Sequence, residues 1–128
     1  MDQMQKLEVP AYVGLRFLAG AMFACHGLQK LFGLLTTKAT AILFSQMWWG
    51  GVIELLGGAL IAIGLLTRPA AFLASGTMAV AFFQFHLKGD VSAWHFLPIV
   101  NGGELSALYA WVFLFIAGKG AGRWSIDR

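Results

Sequence analysis

Two carboxylates stand in stretches of the chain that otherwise dissolve in lipid. Glu54 follows Gly50-Gly51-Val52-Ile53, and Glu104 follows Asn101-Gly102-Gly103. A charge at the centre of a membrane helix costs on the order of 2.5 to 3.5 kcal/mol on insertion scales, and less near the ends, so it is normally partnered or used. Arg16 and Lys30 are the cations available to pair with Glu54. His26 and His86 add imidazoles, the side chain type that changes charge near neutral pH and that also ligates metals. Protonatable and hydrogen-bonding groups beside an apolar slot suit a ligand with a polar headgroup and an apolar body, and Phe82, Phe85 and Trp111 can supply the slot. A metal centre built on bundle helices would show Glu-x-x-His at helical spacing, and no such pair occurs, so no metal is assigned.

The elements that must carry these residues are membrane helices. Of 128 residues, 59% are hydrophobic and 12% charged, and the mean hydropathy is +0.73, far from the mix of a soluble domain. One span takes about 20 apolar residues, which leaves room for four spans and for no extramembrane domain of any size. The net charge of +3 is spread over segment ends, where it reads as a topology signal and excludes nucleic acid as a partner. Cys25 is the single cysteine, so neither an internal disulfide nor a CxxC redox pair can form, and it reads as a small packing residue. Arg16 interrupts the first apolar stretch and three more spans follow, which excludes a signal peptide.

Expected spans run over 10–32, 47–66, 69–87 and 101–117, forming a single transmembrane domain. Pro10 suits the start of the first helix and Gly33 its end. On that helix Arg16, Phe23, Gly27 and Lys30 share one face, with His26 at its edge. Residues 34–46 read as a loop with a short interfacial helix, and Trp48-Trp49 mark a membrane boundary. Glu54, Gly57, Gly58, Ile61 and Leu65 lie along one stripe of the second helix, and Gly58 permits close backbone approach. Thr67 is placed to cap the third helix, Pro69 fits its first turn, and the short link makes a tight hairpin. The third helix is rich in the small residues Ala70, Ala71, Ala74, Ser75 and Gly76, which mediate membrane helix packing. The chain after Gly118 reads as a basic, flexible tail. The fold class is therefore an all-α membrane protein, a four-transmembrane-helix bundle with a short interfacial segment between helices one and two.

Four spans place both termini on one side. Lys6, Arg68, Lys119, Arg123 and Arg128 on that side against Lys30, Lys38 and Lys88 on the other put the termini in the cytoplasm. The opposite side then gathers His26 and Lys30, His86 and Lys88, Glu54, and Asn101 with Glu104, while Arg16 stays on the terminal half. Each half of the chain repeats a helix ending in His and Lys followed by one opening with Gly-Gly and Glu, a short two-helix quasi-repeat. A plainer account stands beside this. Carboxylates favour helix N-termini through the macrodipole, and Asn101 with Glu104 has capping-box spacing, so Glu104 can be purely structural. Glu54 lies about two turns into its helix and has no such alternative beyond a structural ion pair with Arg16 or Lys30.

Arg16, His26-Gly27, Lys30-Leu31-Phe32-Gly33, Glu54 with Gly57-Gly58, Gly64-Leu65-Leu66-Thr67-Arg68 with Ala70-Ala71, His86 and Gly103-Glu104 together resemble the DoxX family of small four-helix membrane proteins. The resemblance implies membrane redox chemistry in the bacterial inner membrane. Relatives form the membrane subunit of thiosulfate:quinone oxidoreductase, and a mycobacterial relative is linked to a complex with a superoxide dismutase and a sulfurtransferase. The expectations are a quinone-interacting or anchoring subunit with no intrinsic cofactor, whose partners are the lipid membrane, other subunits and further copies of the chain. The site residues are Glu54, Glu104, His26, His86, Arg16, Lys30 and Asn101. A small transporter using the quasi-repeat, and a purely structural subunit of a respiratory or photosynthetic assembly, are the competing functions.

Overall fold

The computed structural model describes residues 2–127, and among these the regular structure is helical throughout. Helix α1 runs over Glu8–Phe32, preceded by a tight turn at Gln5–Leu7, so it begins two residues before Pro10. The proline falls in the first turn, where its missing N–H has no helical partner to lose. Gly33 ends the helix in the left-handed conformation, with φ of 68°.

Residues 34–45 contain no helix, contrary to the interfacial helix expected there. The segment instead folds back on α1: the Ala41 N–H donates to the Lys30 carbonyl at 2.8 Å, and the Gln29 side chain donates to the Leu35 carbonyl at 3.0 Å. The loop thus satisfies α1's orphan carbonyl at Lys30, and does so without helical backbone.

Helix α2 spans Gln46–Ile63, and the Ser45 hydroxyl caps it by accepting from the Trp48 N–H at 3.2 Å. It stops three residues short of the expected Leu66, because Gly64 turns left-handed and the N–H groups of Gly64 and Leu65 return to the carbonyls of Ile61 and Leu60. Helix α3 follows at Thr67–Ala81 and continues into a wider π-helical stretch, Phe82–Leu87, closed by Lys88 N–H donating to the Phe83 carbonyl. The expected fourth span is divided. A single turn, α4 (Pro98–Asn101), is separated by left-handed Gly102 from α5 (Glu104–Lys119).

Among the described residues, three helical stretches are long and apolar enough to cross a membrane: Gln5–Phe32, Gln46–Ile63 and Thr67–Leu87. Helix α5, with 16 residues, reaches roughly 24 Å. The outward faces carry large apolar side chains, among them Phe17, Leu56, Phe72 and Trp111, as suits a solvent of acyl chains.

The helices assemble as two antiparallel pairs. In the α1–α2 pair the backbones touch: a Cβ added at Gly20 would lie 2.5 Å from the Ala62 nitrogen, and one at Gly27 would lie 2.5 Å from the Leu55 nitrogen. Such close approach gains dispersion contacts that a bilayer does not otherwise favour. In the α3–α5 pair Ala71, Ala74 and Met78 pack against Tyr109, Phe113 and Ile116, and the Ser75 hydroxyl donates to the Ala110 carbonyl at 2.7 Å. Phe23 of α1 joins the pairs, its ring 4.8 Å from that of Phe113.

The end bearing the termini is tied by residues 120–127, which correct the expectation of a flexible tail. Arg16, 2% exposed, donates to the carbonyls of Ala121, Arg123 and Trp124, while the Asp127 N–H donates to the Gly64 carbonyl. Asp127 accepts at 2.8 Å from the N–H groups of both Leu66 and Thr67 and so caps α3. Thr67 lies within the first turn and is not the cap the sequence suggests.

Candidate functional site

The α2–α3 link is only Gly64–Leu66, which holds the two helices together at the stapled end and leaves room between them toward their other ends. The result is a cleft of about 930 Å³ between α2 and α3, large enough for a drug-sized or lipid-like molecule. Phe23 and Tyr109 line it along with Met47, Trp49, Gly50 and Ile53 of α2 and Phe72, Leu73, Gly76 and Val80 of α3. Several of these, including Phe72, Leu73, Val80 and Trp49, are exposed outward, so the rim is apolar where α2 and α3 face lipid.

Glu54 is the carboxylate in the cleft wall and is 1% exposed, and the cations Lys30 and Lys38 line the cleft with it. Lys30 of α1 reaches it and forms an ion pair with Oε1. Gly51 makes this possible: a Cβ there would sit 3.0 Å from the Lys30 Cβ and 3.1 Å from the Leu31 side chain. The second oxygen, Oε2, is buried and has no hydrogen-bond partner among the described residues. An unpaired acceptor of this kind normally costs on the order of 1 to 3 kcal/mol, more when charged, and native structures rarely leave one without a use.

Imidazoles approach from two helices. His26 lines the cleft one turn before Lys30, its ring 6.3 Å from that of Tyr109 and edge-on to it. His86 lines it from the π-helical stretch, where the extra residue per turn re-aims side chains relative to an α-helix. The His95 ring Nε2 lies 2.9 Å from the His86 carbonyl, which ties the loop over this end. At the mouth, Gln46 of α2 and Gln84 exchange two amide hydrogen bonds, of 2.6 and 3.0 Å, bridging the helices.

Of the residues singled out in the sequence, the cleft gathers Glu54, Lys30, His26 and His86. Three others are elsewhere. Arg16 is not a partner of Glu54; it serves the tail, because the carbonyls of the tail and of the α2 terminus surround its guanidinium. Glu104 is exposed at the start of α5 and does not line the cleft. Asn101 makes no capping box with it. The Asn101 side chain accepts from the Gly103 N–H at 2.8 Å and donates to the His95 carbonyl at 2.9 Å, closing the turn at Gly102. Phe85 lines the cleft as expected of the slot, but Trp111 is 71% exposed and points away. Cys25 is half-buried.

Tyr109 is the contribution that polar-residue reasoning misses. It is 8% exposed, stacks parallel on Phe113 at 5.3 Å, and stands in the cleft wall opposite Glu54's helix. The signal was available, since Tyr109, Phe113 and Ile116 fall at helical spacing on one face of α5. Among the described residues no group of three His, Cys, Asp or Glu side chains comes together to hold a metal ion.

Comparison with known proteins identifies a family and two similar chains. The sequence model of the DoxX family matches residues 11–87, which span α1 through α3 and include Lys30, Glu54 and His86. A protein of Haemophilus influenzae described as uncharacterized is 36% identical across 100% of this chain and 96% of its own length. A protein of Mycobacterium tuberculosis described as an uncharacterized membrane protein is 30% identical across 93% of this chain and 80% of its own. No solved structure matches at a significant level. With the match covering all three helices long enough to cross a bilayer, the chain belongs to the DoxX family and is a membrane protein.

Proposed function

We propose that this protein is a quinone-interacting membrane subunit of a bacterial redox complex, seated in the inner membrane with α5 as a fourth span and both termini in the cytoplasm. The observation that carries the reading is the cleft itself: an apolar rim facing lipid that leads to a buried, half-paired carboxylate. A quinone is an apolar chain on a headgroup that exchanges protons and hydrogen bonds, and this geometry offers a place for both parts. The isoprenoid tail would leave between α2 and α3 past Phe72 and Leu73. The headgroup would lie beside Glu54, Lys30, His26 and Tyr109. Electrons would come from partner subunits, and the imidazoles and Glu54 would serve proton exchange.

The topology has its own support. Lys119 at the end of α5 pairs with Glu8 at the start of α1 at 3.3 Å, so both termini share one end of the bundle, and that end carries the larger share of Lys and Arg.

The test is purification from its source membrane with native lipids, followed by extraction and identification of bound quinone. Bound quinone in the wild-type protein, reduced severalfold in Glu54→Gln, is the expected result. A protein that carries no quinone and takes up none when it is supplied would end this reading in favour of a structural subunit.

A further inference from the structure

Beyond the quinone reading and independent of it, we infer that the cleft is a binding site for one anionic phospholipid, its phosphate held by Lys38 and Lys30 and an acyl chain laid between α2 and α3. Charge is the first reason. Two lysines line the cleft, and the single carboxylate that lines it, Glu54, is 1% exposed with its free oxygen sealed off. Ionised, Glu54 is balanced by Lys30; protonated, it leaves both lysines uncompensated, so in either state the accessible charge is positive. Lys38 is exposed and forms no ion pair among the described residues, and the Lys30 side chain keeps 28% exposure. Asp90 and Glu104 do not line the cleft. The loop that carries Lys38 is also held in place. The Lys38 N–H donates to the Thr36 hydroxyl at 3.1 Å, and the Ala41 N–H ties the loop to the Lys30 carbonyl at 2.8 Å.

Depth is the second reason. The lining on α3 and its π-helical continuation runs from Phe72 to His86, roughly 20 Å along the axis, and the hydrocarbon of one leaflet is about 15 Å thick. Polar groups gather at the His86 end and apolar ones at the Phe72 end, the order of a headgroup on an acyl chain. Trp49, 51% exposed in the cleft wall near the start of α2, suits the headgroup level. A free anion would use the lysines and leave the apolar run empty; a phospholipid fills both. Its chain and a quinone tail would take the same run, so the two ligands exclude each other.

Native mass spectrometry of the full-length chain in neutral detergent counts bound lipid, with dioleoyl phosphatidylglycerol, dioleoyl phosphatidylcholine and glycerol 3-phosphate as probes. The expected result is retention of the anionic lipid about fivefold above the zwitterionic one, a preference that Lys38→Gln removes and Lys38→Arg keeps. Lys6→Gln, at the other end of the molecule, should change nothing. Gly76→Leu, placed in the cleft where an added Cβ meets nothing within 4 Å, should lower the binding of both lipids. Equal retention of the two phospholipids, equal losses in Lys38→Gln and Lys6→Gln, or unchanged binding in Gly76→Leu would overturn the site. Displacement of phosphatidylglycerol by equimolar glycerol 3-phosphate would overturn the lipid in favour of a free anion. Each of these results leaves the quinone reading to its own extraction test.

Discussion

Lys30 pairs with one carboxylate oxygen of Glu54 and leaves the other unpaired, so the two residues are not equivalent in what their loss exposes. Lys30→Met strands a buried carboxylate, a change that costs roughly 3 to 5 kcal/mol where such pairs are sealed. Partial exposure of Lys30 places the expected loss toward the lower end. Glu54→Gln should cost less, because the remaining ammonium is the more accessible partner. The double variant should recover much of the Lys30→Met loss. Unfolding in mixed detergent micelles reads all three, and additive losses in the double variant would show that the pair is not coupled.

Glycines that look alike in the sequence should differ sharply in tolerance. Gly20→Ala and Gly27→Ala put a methyl group against backbone of α2, which can yield only by moving a helix, and overpacking of this kind costs about 1 to 3 kcal/mol. Gly57→Ala and Gly76→Ala meet nothing within 4 Å and should be close to neutral in the same assay. Equal effects at the four sites would refute the close α1–α2 contact.

The tail should act as part of the fold. Deleting residues 121–128 exposes the Arg16 guanidinium and uncaps α3, and the melting temperature should drop clearly. Contacts of Asp127 with Thr67, through its side chain and then its backbone N–H, together with the Leu66 N–H, hold the Asp127 carboxyl below the usual carboxylate range. A depressed folded value means that the stabilisation is complete above the unfolded value of about 3.9 and is lost as pH falls through the lower folded value. Near neutrality the contribution of this group to melting should thus be full and independent of pH. Below about pH 4 the difference between wild-type and Asp127→Asn should close, as pH-resolved melting curves would reveal.

Topology is open to a labelling test. In a Cys25→Ala background, Val91→Cys in the loop after α3 should react in intact cells with a membrane-impermeant maleimide, and Arg123→Cys should react only after lysis. The reverse pattern would invert the proposed orientation.

Sequence reading reached the helices long enough to span, the close backbone approach at Gly58, and Lys30 as one of two candidate partners of Glu54, because hydropathy and helical spacing encode these locally. It failed where distant backbone decides. Nothing local to Arg16 distinguishes a partner for Glu54 from a clamp on carbonyls more than a hundred residues away. Asp127 caps a helix 60 residues earlier in the chain, so Thr67 looked like the cap. Asn101 and Glu104 have the right spacing for a capping box, but Gly102 in the left-handed conformation breaks the helix between them. The π-helical stretch at Phe82–Leu87 has no periodic signature, yet His86 lies in the cleft with Glu54 and His26, as the order of the spans implies.

The staple at Gly64–Leu66 has a mechanical consequence. Asp127 and Arg16 fix the base of the two helix pairs, and the α1–α2 backbone contact makes one pair rigid along its length. The two arms are thereby joined at the base, and beyond it they meet through Phe23 and His26 against Tyr109 and through the paired amides of Gln46 and Gln84. Any change in the angle between the arms would therefore be felt most near Trp49 and Val80, which line the cleft on its two sides.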